Sequence, residues 1–179
     1  MYCLFSIWLC AAPFALAETP NPAVVIDGEL IEPIWQKMLS EKLAPTEAGV
    51  SVDHGGEIRT AIVSGYLYLG AHLPEPSGRV TARSIGINPN WEDGEDLFRV
   101  RIGANLVPFD WVLQINPLGA CSLEQKGQSV INRKFLVATR TGEDAWSVEL
   151  AVPLHELRSP RPETVRLSAE RIRAMRPGA

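Results

Sequence analysis

The chain has 179 residues, a length that suits one domain with a single substantial core. Its 17 Lys and Arg stand against 21 Asp and Glu, a net charge of -4 with no basic tract. That balance argues against nucleic acid as a partner, which would call for a concentrated positive face.

Met1 to Ala17 carries no charged residue, has an apolar centre and closes with Ala15-Leu16-Ala17 ahead of Glu18. This ending has the A-x-A form of a secretory cleavage site, although the usual Lys or Arg near the start is missing. Residues 1–17 are therefore expected to be a signal peptide and 18–179 the domain of a secreted or periplasmic protein. The leader is too short for a membrane span, and nothing after it is long and apolar enough to cross a bilayer. Cys3 and Cys10 fall in the leader, so Cys121 stands alone and no internal disulfide can form.

From Val24 a short apolar run stops at the turn pair Asp27-Gly28, and Pro33 sits where the first turn of a short helix tolerates it. Trp35 on that turn is expected to plug one end of the core. Asp53 to Gly56 has turn chemistry. Ile58, Thr60 and Ile62 then alternate with Arg59 and Ala61, Ser64-Gly65 breaks the run, and Tyr66 to Leu69 pairs back as a hairpin. Pro74, Pro76 and Gly78 end it. A short run from Val80 to Ile87 leads into the loop Asn88-Pro89-Asn90-Trp91-Glu92-Asp93-Gly94-Glu95-Asp96, and Leu97 to Ile102 is a strand.

In the next strand, Phe109, Trp111, Leu113 and Ile115 share one face. Asn116-Pro117-Leu118-Gly119 supplies a turn and Ala120 to Leu123 pairs back. Val130 to Thr139 reads as a strand, Trp146, Val148, Leu150 and Val152 alternate until Pro153, Leu154 to Leu157 makes one helical turn, and Val165, Leu167 and Ala169 mark a last strand. Trp111 and Trp146, among apolar neighbours, are expected in the core. Short strands every eight to twelve residues, with almost no helix, predict an all-β antiparallel sandwich with one or two short helical turns.

In order and spacing, four stretches resemble carbohydrate-binding module family 9 and the wider DOMON-like sandwich domains. They are Ile26-Asp27-Gly28-Glu29 through Pro33-Ile34-Trp35, Tyr66-Leu67-Tyr68-Leu69, Trp91 through Val100, and Trp146 through Pro153. The resemblance implies a jelly-roll-like β-sandwich without catalytic activity that binds a poly- or oligosaccharide, often beside a glycoside hydrolase in polysaccharide catabolism. In the sugar-binding members a chain end is held between two tryptophans. Trp91 matches the first, and the second would follow in a segment this chain does not reach, so the domain is expected to lack its last strand.

On this basis Trp91 would stack on a sugar ring, while Asn88, Asn90, Glu92 and Arg99 or Gln114 meet hydroxyls. Asp93, Glu95 and Asp96 could ligate a structural calcium, which takes several hard oxygens, or simply form a solvated acidic loop. Asp96 is also placed to fix the loop through backbone amides. The carboxylates Asp96 and Glu149 invite a glycosidase reading, but they lie on different strands and nothing in the sequence brings them together. Two alternatives stay open: a structural or interaction sandwich serving an envelope protein, and a haem-binding domain using Met38 or Met175 with His72 or His155. His54, His72 and His155 themselves lack metal-ligand spacing.

Overall fold

The computed structural model describes residues 2–8 (backbone only), 24–43, 55–75, 79–104, 109–130, 134–157 and 165–174. Ala15 to Ala17, Asp53, His54, Pro76, Gly78 and Met175, which carry sequence expectations, lie outside them. The strands are β1 (Tyr2–Trp8), β2 (Ser40–Lys42), β3 (Glu57–Val63), β4 (Tyr66–Pro74), β5 (Leu97–Ala104), β6 (Trp111–Ile115), β7 (Cys121–Gln125), β8 (Gln128–Ser129), β9 (Leu136–Thr141), β10 (Ala145–Pro153) and β11 (Val165–Ile172). One helix, α1 (Pro33–Lys37), and a 3-10 turn (Leu154–Leu157) complete the described elements.

These strands form two antiparallel sheets, ordered β1-β11-β5-β6-β7-β8 and β2-β3-β4-β10-β9, so the molecule is a β-sandwich. We call them the first and second sheets. Tyr2–Trp8, within the stretch expected to be a leader, pairs along the outer edge of β11. The pair β2 and β8 was not anticipated from the sequence, each being three residues or fewer and mostly exposed. The predicted strand from Val130 to Thr139 is replaced by β9, which starts only at Leu136.

Alternation sets the layers. Leu67, Leu69, Ala71 and Leu73 of β4 and Trp146, Val148, Leu150 and Val152 of β10 face Phe98, Val100, Ile102, Trp111, Leu113, Ile115, Leu167 and Ala169 of the first sheet, filling the space between the sheets. Trp111, Trp146 and Cys121 are all buried there. The β3–β4 turn uses Ser64 and Gly65 at φ 50 and 76, the doubly positive geometry that matches hairpin twist.

Tyr66 and Tyr68 alternate with core leucines yet are buried too, because the segment from Val24 through α1 covers the outer face of the second sheet. Trp35 therefore plugs this outer face rather than one end of the main core. Its ring lies over Gly70, where a Cβ would come 3.2 Å from the indole. Directly across from Gly70 stands Glu149, fully buried: one carboxylate oxygen accepts from the N–H groups of Asp27 and Gly28, both at 2.8 Å, and the other from Trp35 Nε1 at 2.8 Å. Gly28 must take φ +92, and a side chain there would meet the Thr139 backbone at 2.6 Å.

Burial pushes the Glu149 carboxyl up to about 7 from an ordinary 4.5, and the nearby Glu32 charge adds to this, against the opposing pull of its three N–H donors. A folded value above the unfolded one means this group favours the fold fully below about 4.5 and loses that contribution as pH rises through about 7. A shift of this size is worth up to about 3 kcal/mol. Chemical denaturation between those two pH values is expected to show stability falling as pH rises in the parent chain, with the slope largely removed in Glu149→Gln. An unchanged slope in that variant would exclude Glu149 as its source.

Candidate functional site

The outward residues of the first sheet are polar, with Arg99, Arg101 and Gln114 partly exposed. Register places Glu170 of β11, Arg99 of β5, Gln114 of β6 and Ser122 of β7 directly opposite one another in one row across four strands. The row is bonded throughout its middle. Arg99 Nε and Nη2 donate to Gln114 Oε1 at 3.0 and 2.7 Å, and Arg99 Nη1 donates to Glu170 Oε2 at 3.0 Å. Glu170 also takes Arg101 Nη2 at 3.4 Å. At the far end Trp91 Nε1 donates to Ser122 Oγ at 3.1 Å, pinning the edge of a half-exposed ring over the sheet.

Between ring and row lies a hollow of about 450 Å³, lined by Trp91, Glu92, Asp93, Arg99, Gln114 and the end of β11 at Ile172 and Arg173, among others. Because Gln114 spends only its oxygen on Arg99, its amide N–H groups can donate into the hollow. Glu92 stands exposed at the rim, 3.3 Å from exposed Arg83, a pair of small energetic weight. Arg173 is held by Glu75, to which its Nη2 donates at 2.9 and 3.0 Å.

The loop that carries Trp91 is stiffened by the acids beside it. Glu95 turns inward, 2% exposed, where Oε1 accepts from Ser84 N at 2.9 Å and Ser84 Oγ at 2.5 Å, and Oε2 from Asn116 Nδ2 at 2.9 Å. Burial works against its charge, but the bonds from the Ser84 hydroxyl, Asn116 and backbone N–H groups outweigh that and hold its pKa below the usual value. Asp96 is buried as well: Oδ2 accepts from Thr81 N at 2.6 Å and Oδ1 from Ala174 N at 2.9 Å, fixing the loop and the chain beside Arg173.

The structure thus brings together Trp91, Glu92, Arg99 and Gln114, and separates the other two expected contacts. Asn88, at φ 49, clips the loop to β7: its Oδ1 accepts from Leu123 N at 3.1 Å and its Nδ2 donates to the Val130 carbonyl at 3.2 Å. Asn90 is exposed and outside the hollow's lining. Of the expected calcium set, Asp93 is exposed, while Glu95 and Asp96 are buried and accept backbone and side-chain N–H groups. The three acids that do approach one another among the described residues are Asp27, Glu32 and Glu149, with both oxygens of Glu149 already taken. Asp96, at the entry to β5 of the first sheet, and Glu149, on β10 of the second, each accept N–H donors of their own surroundings. Sequence reasoning missed Glu170, Ile172 and Arg173, whose closeness to Trp91 follows only from strand pairing.

No protein-family model matches the chain, and no curated protein matches it. Among solved structures, a candidate carbohydrate-binding protein from Bacteroides uniformis is similar, with a TM-score of 0.52 and 14% identity over 84% of this chain and 86% of that one. At that identity the likeness concerns the fold, and it supports the two-sheet sandwich.

Glu95→Ala is expected to cost about 3 kcal/mol, because it leaves the buried Ser84 N–H unsatisfied and frees the Trp91 loop. Urea denaturation monitored by far-ultraviolet circular dichroism checks the stability loss. Trp91 fluorescence cannot be isolated from the other indoles, so loop loosening is best read by amide hydrogen exchange at 84–96.

Proposed function

We propose that this chain is a carbohydrate-binding domain that works without catalysis, similar in role to the sugar-binding members of carbohydrate-binding module family 9. The observation that carries the reading is the hollow itself: one indole and the polar heads of Arg99, Gln114 and Glu92, arranged on a rigid sheet. A pyranose ring lays its apolar face on Trp91, while Gln114 and Arg99 donate to its hydroxyls and Glu92 accepts at the rim. A secreted or periplasmic location would put the domain where polysaccharides are met, with a glycoside hydrolase as a suitable companion.

A single ring contributes of order 1 kcal/mol of stacking, so affinity rests on the fixed polar row and should be weak, about millimolar. One indole in the hollow also favours a second reading, an envelope interaction sandwich that binds no sugar. Calorimetric titration of soluble oligosaccharides against the full chain and against Trp91→Ala separates the two. Sugar binding requires saturable heat in the parent chain and about a fivefold loss in the variant at unchanged melting temperature. No heat with any sugar, or equal heat in both proteins, would leave the interaction reading.

A further inference from the structure

The apolar residues fall into two separate clusters. The main core lies between the sheets, whereas Val24 and Trp35 of the N-terminal cover pack with Tyr66, Tyr68 and Ala151 on the outer face of the second sheet. Releasing the cover, residues 24–38, therefore need not open the main core. Polar groups of the sheet hold it as well. Ser147 Oγ donates to the Gly28 carbonyl at 2.5 Å, exposed Arg140 pairs with Glu29, and Glu149 accepts the N–H groups of Asp27, Gly28 and the Trp35 indole.

Glu149 also meets acids of the cover. Asp27, Glu32 and Glu149 bring carboxylate oxygens within 4.8 Å of one another. Glu32 spends Oε1 on the Val25 N–H at 3.2 Å, while its buried Oε2 has no hydrogen-bond partner. The strand neighbours of Glu149, Gly70 and Ala138, are uncharged. Arg59 stands in the same row beyond Gly70 but pairs with Glu57 at 2.8 Å. In the next row His72 and Arg140 flank Ser147, Arg140 being held by Glu29. Tyr66 and Tyr68 lie further along β4, and Lys37 of α1 is exposed. A charge on Glu149 thus faces like charge from the cover, and the cations on the surrounding elements are paired or stand off it.

We infer that residues 24–38 are a pH-gated cover, docked while Glu149 holds a proton and loosened as one unit when Glu149 ionises. In the docked state burial, with the Glu32 charge, pushes the Glu149 carboxyl up to about 7 against the pull of its N–H donors; in the released state it meets water at its ordinary 4.5. A docked value above the released one means docking is fully favoured below about 4.5 and weakens as pH rises through about 7. The loosened state uncovers Tyr66 and Tyr68, so acid closes this apolar face and mild base opens it.

Residue-resolved hydrogen exchange on the full chain, corrected for the intrinsic rate at each pH, tests this. Protection of the Asp27 and Gly28 amides and the Trp35 indole N–H should fall at least about tenfold from pH 5 to pH 8. Amides of β5 and β6 should stay more protected throughout, which marks the cover as a separate unit. Glu149→Gln should flatten the fall, and Glu32→Gln, which leaves Glu149 in place, should shrink it. Cover groups as protected as β5 and β6 at both pH values, a pH-independent cover, or an undiminished fall in either folded variant would overturn the inference.

Discussion

Antiparallel register across β11, β5, β6 and β7 is the constraint on which the open face depends. Side chains directly opposite one another are neighbours, and a one-residue slip of any strand would send its outward row into the core. The slip is forbidden by the inner face, where Phe98, Val100 and Ile102 must meet the second sheet. Core packing thus fixes the polar row indirectly. Arg99 finds Gln114 on one side and Glu170 on the other because its alternate neighbours are buried, and the long, flexible guanidinium is ordered before any ligand arrives.

The two sheets solve opposite problems on their outer faces. The second sheet carries Tyr66, Tyr68 and Ala151 outward, an apolar surface that must be covered, and the N-terminal segment with Trp35 covers it. Closing that cover buries Glu149 and disfavours its charged form, a penalty that the N–H groups of Asp27, Gly28 and Trp35 only partly offset. The first sheet presents Arg99, Arg101 and Gln114, polar groups that tolerate partial exposure without an apolar cover, and that partial exposure leaves them within reach of a ligand.

Much of this was legible in the sequence, for reasons that differ by residue. Trp91, Glu92, Arg99 and Gln114 were named in advance and share one hollow, because period-two alternation fixes which way Arg99 and Gln114 point and the turn-rich loop brings Trp91 over them. Trp35 was assigned to packing, but its location on an outer face was not readable, since periodicity tells what is buried without telling by which layer. Asn88 and the acids expected as calcium ligands were the least legible, for a shared reason. Short polar side chains in a loop look alike whether they face a ligand or satisfy backbone groups, and only the partners tell them apart: Leu123 N–H for Asn88, Ala174 N–H for Asp96. Glu170 and Arg173 carry no sequence signal linking them to Trp91, being brought there by a pairing between distant strands.

The acidic run Glu92-Asp93-Gly94-Glu95-Asp96 shows how one stretch divides its labour. Gly94, at φ 77, turns the chain so that the two acids before it face solvent and the two after it enter the protein. The inner pair spends its charge on N–H groups of Thr81, Ser84, Asn116 and Ala174, joining segments far apart in sequence. Ionised carboxylates make stronger acceptors than amides, so a loop without regular hydrogen bonds gains the stiffness of a strand. The outer pair, left on a fixed frame, keeps Glu92 and Asp93 beside Trp91 in the hollow that Arg99 and Gln114 also line. One acidic run thereby stiffens its loop with its buried half and lines the hollow with its exposed half.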